Sequence, residues 1–279
     1  MYWSVQRELW ENRSIYLAPL AVAGLILLGF LINMLQPRLW VAVGNGTMHQ
    51  RQLAAQPYEF AGLLIMGTTF VVAIFYCLDA LHGERRDRSI LFWKSLPVSD
   101  LTTVLSKASI PIVVLPLLTF AITVVVQWIM VLMSSAVLLG SGLSVATLWT
   151  PLSLSQSWLG LLYHLVTVHS LWYAPIFGWL LLVSAWARRA PILWAVLPIL
   201  AISLVEKIAF NTTHFAAMVA NRIAGGAEAV TVPGGSPMDP MTHLTPGHFL
   251  ASPGLWIGLA MAAAFLAGAV RLRRSQGPI

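Results

Sequence analysis

Few residues in this chain stand at spacings that could carry chemistry. No GxxxxGK[ST] stretch occurs, so the chain has no phosphate-cradling loop of its own. HExxH and GxSxG are also missing, which leaves out the zinc-hydrolase and nucleophile-elbow patterns. Cys77 is the only cysteine, so neither an internal disulfide nor a CxxC metal site can form. It falls in an apolar run and reads as a small buried hydrophobe. His164 and His169 lie five apart beside Tyr163. A metal or haem role is open to them, but i,i+5 is a poor helical pairing, and interfacial histidines with satisfied hydrogen bonds are the simpler reading. Glu206 and Lys207 stand near the end of an apolar segment, where intramembrane charge invites function. Lys207 can snorkel outward, which leaves Glu206 to line a pathway. Glu206, His164 and His169 are therefore the candidate pathway or gate residues. No catalytic residue, metal site or cofactor is expected on this chain.

The charges gather elsewhere. Between Gly83 and Asp100 the chain reads GERRDRSILFWKSLPVSD, with seven charged residues of eighteen in a sequence that is only 9% charged. Pro97 disfavours helix at Leu96, so a helix begun near Arg85 is expected to stop there. Ser99 then caps a second helix, with Asp100 in its positive first turn. A basic interfacial helix could simply lie on anionic lipid. Glu84 and Asp87 argue against that, because an anionic surface would repel them. Mixed charges around Ile90, Leu91, Phe92 and Trp93 fit a protein socket, with the apolar residues as anchors and the charges setting register.

The elements that must position these residues are membrane helices. The chain is 58% hydrophobic, with a mean hydropathy of +0.79. Ordinary soluble domains are about 45–50% apolar and about 25% charged. A helical span needs about 20 predominantly apolar residues. On that criterion the 279 residues form one all-α integral membrane domain with six spans, about 16–35, 58–81, 109–139, 170–187, 191–210 and 255–270. The stretch 152–168 can be an interfacial helix leading into the fourth span. Residues 1–14 form an amphipathic helix, with Tyr2, Val5 and Leu9 on one face, Trp3 and Trp10 beside them, and Arg7, Glu8 and Glu11 opposite. The polar start is not the pattern of a cleavable signal peptide.

Twelve of the sixteen basic residues fall on one side of this arrangement: Arg7, Arg13, Arg85, Arg86, Arg88, Lys94, Lys107, Arg188, Arg189, Arg271, Arg273 and Arg274. The positive-inside bias makes both termini cytoplasmic, with 37–57 and the Gly/Pro-rich 211–253 outside. It also accounts for the net charge of +6 without nucleic acid as a partner. Gly254, Gly258 and Ala262 set a small-residue face on the last span, the pattern of close helix packing.

The 83–107 stretch, together with RELWENRS at 7–14, resembles the permease subunits of bacterial ABC-2 type ABC transporters. The likeness is sequence-specific over those two segments and rests on topology elsewhere. It implies that Glu84, Arg85, Arg86, Asp87, Arg88, Ile90, Leu91, Phe92, Trp93 and Lys94 form a coupling helix docking into a cytoplasmic ATPase subunit. It likewise implies that the N-terminal helix is the family's connecting helix. ATP and Mg would be held by that partner, and the permease would act as a homodimer or heterodimer in the bacterial inner membrane. The expected function is ATP-driven export of an amphipathic, lipid-like or peptide compound. The alternative is a membrane sensor or immunity module using the same kind of complex without net transport. A gradient-driven carrier would need several intramembrane carboxylates, which the spans scarcely offer.

Overall fold

The structure, a computed structural model, describes residues 2–34, 48–95, 98–140, 154–225 and 246–275. Residues 37–47 and 226–245 of the two expected outer segments lie outside the described residues. So do Leu96, Pro97 and the last residues of the chain.

All regular structure among the described residues is helical. In chain order the helices are α1 (Tyr2–Glu11), α2 (Ser14–Met34), α3 (Met48–Ala80), α4 (His82–Arg86), α5 (Ser89–Ser95), α6 (Asp100–Ser109) and α7 (Leu115–Gly140). They continue with α8 (Leu154–His164), α9 (Ala174–Trp186), α10 (Pro191–Phe210), α11 (His214–Ile223), α12 (Pro246–Ala251) and α13 (Pro253–Ser275). Two widened, π-helical segments interrupt this order, Ile110–Val114 between α6 and α7 and Leu165–Trp172 between α8 and α9.

Five helical runs are long and apolar enough to cross a membrane: Ser14–Met34, Gln56–Arg86, Asp100–Val137, Pro191–Phe210 and Pro253–Ser275. A sixth requires Ser157–Trp172 and Ala174–Trp186 together, and these are bent by 45°. The 13 residues of α9 span about 20 Å, less than the roughly 30 Å hydrocarbon layer. The bend has two local causes. The π-helical segment closes with the Tyr173 N–H donating to the Val168 carbonyl (3.0 Å), and Pro175 in the first turn of α9 brings no N–H.

Three boundaries differ from the sequence expectation. Helix α3 begins at Met48 and runs through Pro57. Gln, Leu, Ala and Arg upstream are good helix formers, and a single Pro removes only one backbone bond. The third run starts at Asp100 rather than 109, because α6 leads through the π-helical segment straight into α7. The charged stretch is two short helices, not one from Arg85 onward. Arg88 takes a left-handed φ of 59°, which turns the chain between α4 and α5.

The described residues form two compact units. One consists of Arg13–Val72 and Leu117–Leu162. Its core joins Ala23 of α2, Tyr58, Ala61 and Ile65 of α3, and Ile122, Val126, Met130 and Val131 of α7. A polar seam runs through that core. Thr119 donates to Thr69 (2.9 Å), Gln127 to the Tyr58 carbonyl (3.0 Å) and Trp158 Nε1 to Gln127 Oε1 (2.6 Å), while the Tyr58 and Ser134 hydroxyls share a bond (3.0 Å). Lipid offers these groups no partner, so helices must satisfy one another.

The other unit consists of Met1–Asn12, Ala73–Pro116 and Tyr163–Ile279. Here α9 packs on α13, with Gly178 at a point of close backbone approach. A Cβ at Gly178 would lie 3.2 Å from the Ala262 carbonyl oxygen. Leu81, Val104, Ala185, Ala269 and Val270 form one apolar cluster, and Val168, Trp172, Phe249 and Leu255 another. Helix α10 buries only Ala195 and presents Leu197, Leu200, Leu204 and Ile208 outward. That exposure suits a helix whose solvent is hydrocarbon.

Candidate functional site: a buried ion cluster

Helix α1 carries polar and apolar residues on opposite faces, and the structure buries Glu8 of the polar one. Glu8 is only 1% exposed, whereas Trp3 and Trp10 are 77% and 69% exposed. Glu8 Oε1 accepts from Lys107 Nζ of α6 (2.8 Å) and from Arg7 Nη2 (2.9 Å). Its other oxygen, Oε2, accepts from the Tyr76 hydroxyl of α3 (2.9 Å).

Lys107 bridges to a second acid, Glu84 of α4, at 3.1 Å. Glu84 also lies 3.4 Å from Arg7 Nη2, and it pairs with Arg273 Nη1 from the last turns of α13. Arg273 Nε in turn donates to Asp100 Oδ1 in the first turn of α6 (3.1 Å). The six ionic groups balance: Glu8, Glu84 and Asp100 against Arg7, Lys107 and Arg273. Glu11 at the margin is held above the usual carboxylate range by partial burial, against the pull of Arg7.

Balance is what makes the burial tolerable. Each buried ion loses several kcal/mol of hydration, recovered only when its partners are close and its lone pairs are used. Helix ends add to this. Asp100 stands at the positive start of α6 and Arg273 at the negative end of α13. Ser99 fixes the start of α6 by accepting from the Thr102 N–H at 3.1 Å.

The charged stretch hangs from this cluster. Leu81, at the N-cap of α4, makes no side-chain cap, and Ser184 of α9 supplies one from across the unit. Its hydroxyl accepts from the Leu81 and His82 N–H groups at 3.0 and 2.9 Å. Arg85 is buried, with Nη1 donating to the carbonyls of Ala185 (2.6 Å) and Ala187 (3.4 Å) at the end of α9. Arg86, Asp87 and Arg88 are exposed. Arg86 Nε contacts Asp87 at 3.1 Å, a screened surface pair. Ile90 is buried, while Leu91 and Phe92 are each 59% exposed, with Trp93 and Lys94 following on α5.

The other candidates stand apart from the cluster. Both oxygens of Glu206 face the start of α11. Oε1 accepts from the Thr212 hydroxyl (2.8 Å) and the His214 N–H (2.7 Å), and Oε2 from the Phe215 N–H (2.9 Å). That is a helix cap supplied by the preceding helix. His164 ends α8, half-buried, and His169 is buried with its ring edge-on to Tyr173 at 5.7 Å. Among the described residues no three His, Cys, Asp or Glu side chains converge as metal ligands.

The small-residue face of α13 is shared by three contacts. Ala262 meets Gly178 of α9, Gly254 lies against the Trp172 ring, and Gly258 leaves room for the Arg222 guanidinium.

The cluster had little signature in the sequence. Lys107 and Arg273 were legible as basic residues of one side, and Glu8 as part of a polar helix face. A lysine inside the otherwise uncharged VLSKASI run was the one local hint that a carboxylate must come from elsewhere. Compared with protein-family models, with curated proteins and with solved structures, the chain matches none of them.

Proposed function

We propose that this chain is the membrane-spanning subunit of an ATP-driven export complex of the ABC-2 type, working with cytoplasmic ATPase subunits and a second permease. The observation that carries the reading is the contrast within 84–92. Glu84, Arg85 and Ile90 are buried, and the first two are tied to other helices, while Leu91 and Phe92 project from the same short segment. A knob on a fixed base passes displacement to whatever holds the base. Here the base is connected to α1, α6 and α13 by ions, and to α9 by Arg85 and the Ser184 cap. An ATPase that closes on ATP would move the knob, and the ion cluster would carry the motion into the membrane helices. The exposed apolar helices favour an amphipathic or lipid-like cargo.

The test is co-purification of a cytoplasmic ATPase subunit with the affinity-tagged permease from its native membranes. Phe92→Ala removes an anchor and should cost on the order of 2 kcal/mol, well over tenfold in affinity. Arg86→Ala, at a screened rim position, should matter less and mainly at low salt. Full retention and full cargo-stimulated ATP hydrolysis with both Phe92→Ala and Leu91→Ala would sink the coupling role. Retention lost on mutation but no cargo movement into vesicles would favour the sensor reading.

A further inference from the structure

Helix α10 is fastened at two places that differ in kind. Near its start it leans on α9. There Trp179 Nε1 donates to the Ala195 carbonyl (3.1 Å), and the Trp186 and Trp194 rings meet edge-on with centroids 4.8 Å apart. Ala195 is the one residue of α10 that is buried. Beyond it Leu200, Leu204, Val205 and Ile208 are all exposed, so packing does little to place the far half.

That far end is tied instead to α11, after a turn at Asn211. Asn211 takes a left-handed φ of 51°, which asparagine tolerates better than most residues. Thr213, at the N-cap of α11, makes no side-chain cap, and Glu206 caps the helix from α10. Helix α11 buries none of its own residues either. Polar contacts hold its other end. Trp172 Nε1 donates to the Arg222 carbonyl (3.2 Å), the Tyr173 hydroxyl to the Ile223 carbonyl (3.0 Å), and Arg222 Nη1 to the Gly254 carbonyl (2.9 Å). Helix α11 is therefore a strap from the end of α10 to Trp172 and α13, clasped at both ends by hydrogen bonds.

The two clasps respond differently to protons. The far one uses carbonyls, an indole, a phenol and a guanidinium, none of which ordinarily changes charge between about pH 4 and about pH 8. The near one sets a carboxylate against three donors at once: the Thr212 hydroxyl and the His214 and Phe215 N–H groups. Protonation turns one carboxyl oxygen into a donor facing a donor and weakens the other as an acceptor.

We infer that Glu206 is a proton-operated clasp: ionised, it fastens the end of α10 to α11, and protonated, it frees the far half of α10. The His214 ring faces Glu206 from α11, Lys207 follows it on α10, and Arg222 stands at the far end of α11. Helix α9, which also packs on α10, brings no titratable side chain between Ala174 and Trp186. All three bonds are made to the ionised form, so the clasp is closed at high pH and is lost as pH falls through the titration of Glu206. The inference does not depend on the transport reading.

The test is the distance between spin labels on Ile208→Cys and Ile257→Cys, read by pulsed EPR on the full chain in nanodiscs. Both positions are exposed, and the native Cys77 is buried. The titration runs from about pH 8 to about pH 4, into the ordinary carboxylate range. With Glu206 intact the distribution should be narrow at neutral pH and reversibly broader in acid. Glu206→Gln, whose amide sets an NH2 against one of the donors, should be broad at every pH. Thr212→Val removes one bond to the ionised form and should raise the midpoint by roughly one pH unit. His214→Gln keeps its N–H donor and should keep the transition. A second label pair, Leu193→Cys and Ile257→Cys, reads the start of α10 and should stay narrow throughout. A distribution indifferent to pH overturns the inference, as does a narrow one in Glu206→Gln. Loss of the transition in His214→Gln assigns it to the imidazole, and acid broadening of the second pair assigns it to general unfolding; either overturns the clasp. Should Glu206→Gln not remain monodisperse, an unmoved midpoint in Thr212→Val overturns it alone.

Discussion

Glu84 and Arg273, 189 residues apart in the chain, form a buried ion pair that ties α4 to the end of α13. Lys107 joins Glu84 to Glu8, so the N-terminal helix, the charged stretch and the C-terminal helix meet at one point. These are three of the segments that the positive-inside bias of the sequence puts on one side.

Removing one member of this cluster should be worse than removing a pair. Lys107→Met leaves Glu8 and Glu84 short of a cation and should cost about 3–5 kcal/mol, the usual penalty for stranding a buried charge. Lys107→Met combined with Glu8→Gln should recover part of that loss, since one carboxylate has gone too. Thermal unfolding in detergent, analysed as a double-mutant cycle, gives the coupling. Strict additivity would show that the contacts are not energetically linked.

Neighbouring residues on α5 should separate stability from docking. Ile90→Ala empties a buried site and should destabilise the chain by about 2–4 kcal/mol. Leu91→Ala and Phe92→Ala, at exposed positions, should leave the unfolding temperature unchanged while weakening ATPase capture. Equal thermal losses in all three variants would mean that the knob is part of the core.

Two glycine substitutions should have opposite signs. At Gly178 a Cβ meets backbone atoms of Ala262 at 3.2 and 3.3 Å, so Gly178→Ala forces two helices apart and should cost about 1–3 kcal/mol. At Gly67 nothing lies within 4 Å, and Gly67→Ala should be neutral or stabilising by up to about 1 kcal/mol through helix propensity. Denaturation in mild detergent distinguishes the two.

Sidedness can be read by thiol labelling against a quiet background, because the only native cysteine, Cys77, is fully buried. Cysteines placed at Asn45 and Gly234 should react with an impermeant reagent added outside intact cells. Arg274→Cys should react only after the membrane is opened. Labelling of Arg274→Cys from outside would invert the topology.

The sequence alone determined most of the helices of this protein, five of them in runs long and apolar enough to cross a membrane. Apolar runs such as 191–210 stand out because hydrocarbon tolerates no other composition, and Pro191–Phe210 is one helix over that range. Ser99 was legible as a cap because capping is a local hydrogen bond. Local rules failed where a distant partner decided the outcome. The break at Arg88 lies inside a stretch with good helix pattern, and it turns α5 away from an α4 held by Ser184 and Ala185. Glu206 reads as an intramembrane acid, and no local pattern showed that the His214 and Phe215 N–H groups at the start of α11 donate to it. Glu8, Glu84, Lys107 and Arg273 carry no mutual spacing, since charges on separate helices attract through space and leave no period in the chain. Which charges were buried, and against which partners, was decided only by the tertiary structure, because desolvation and pairing depend on distances that span the whole chain.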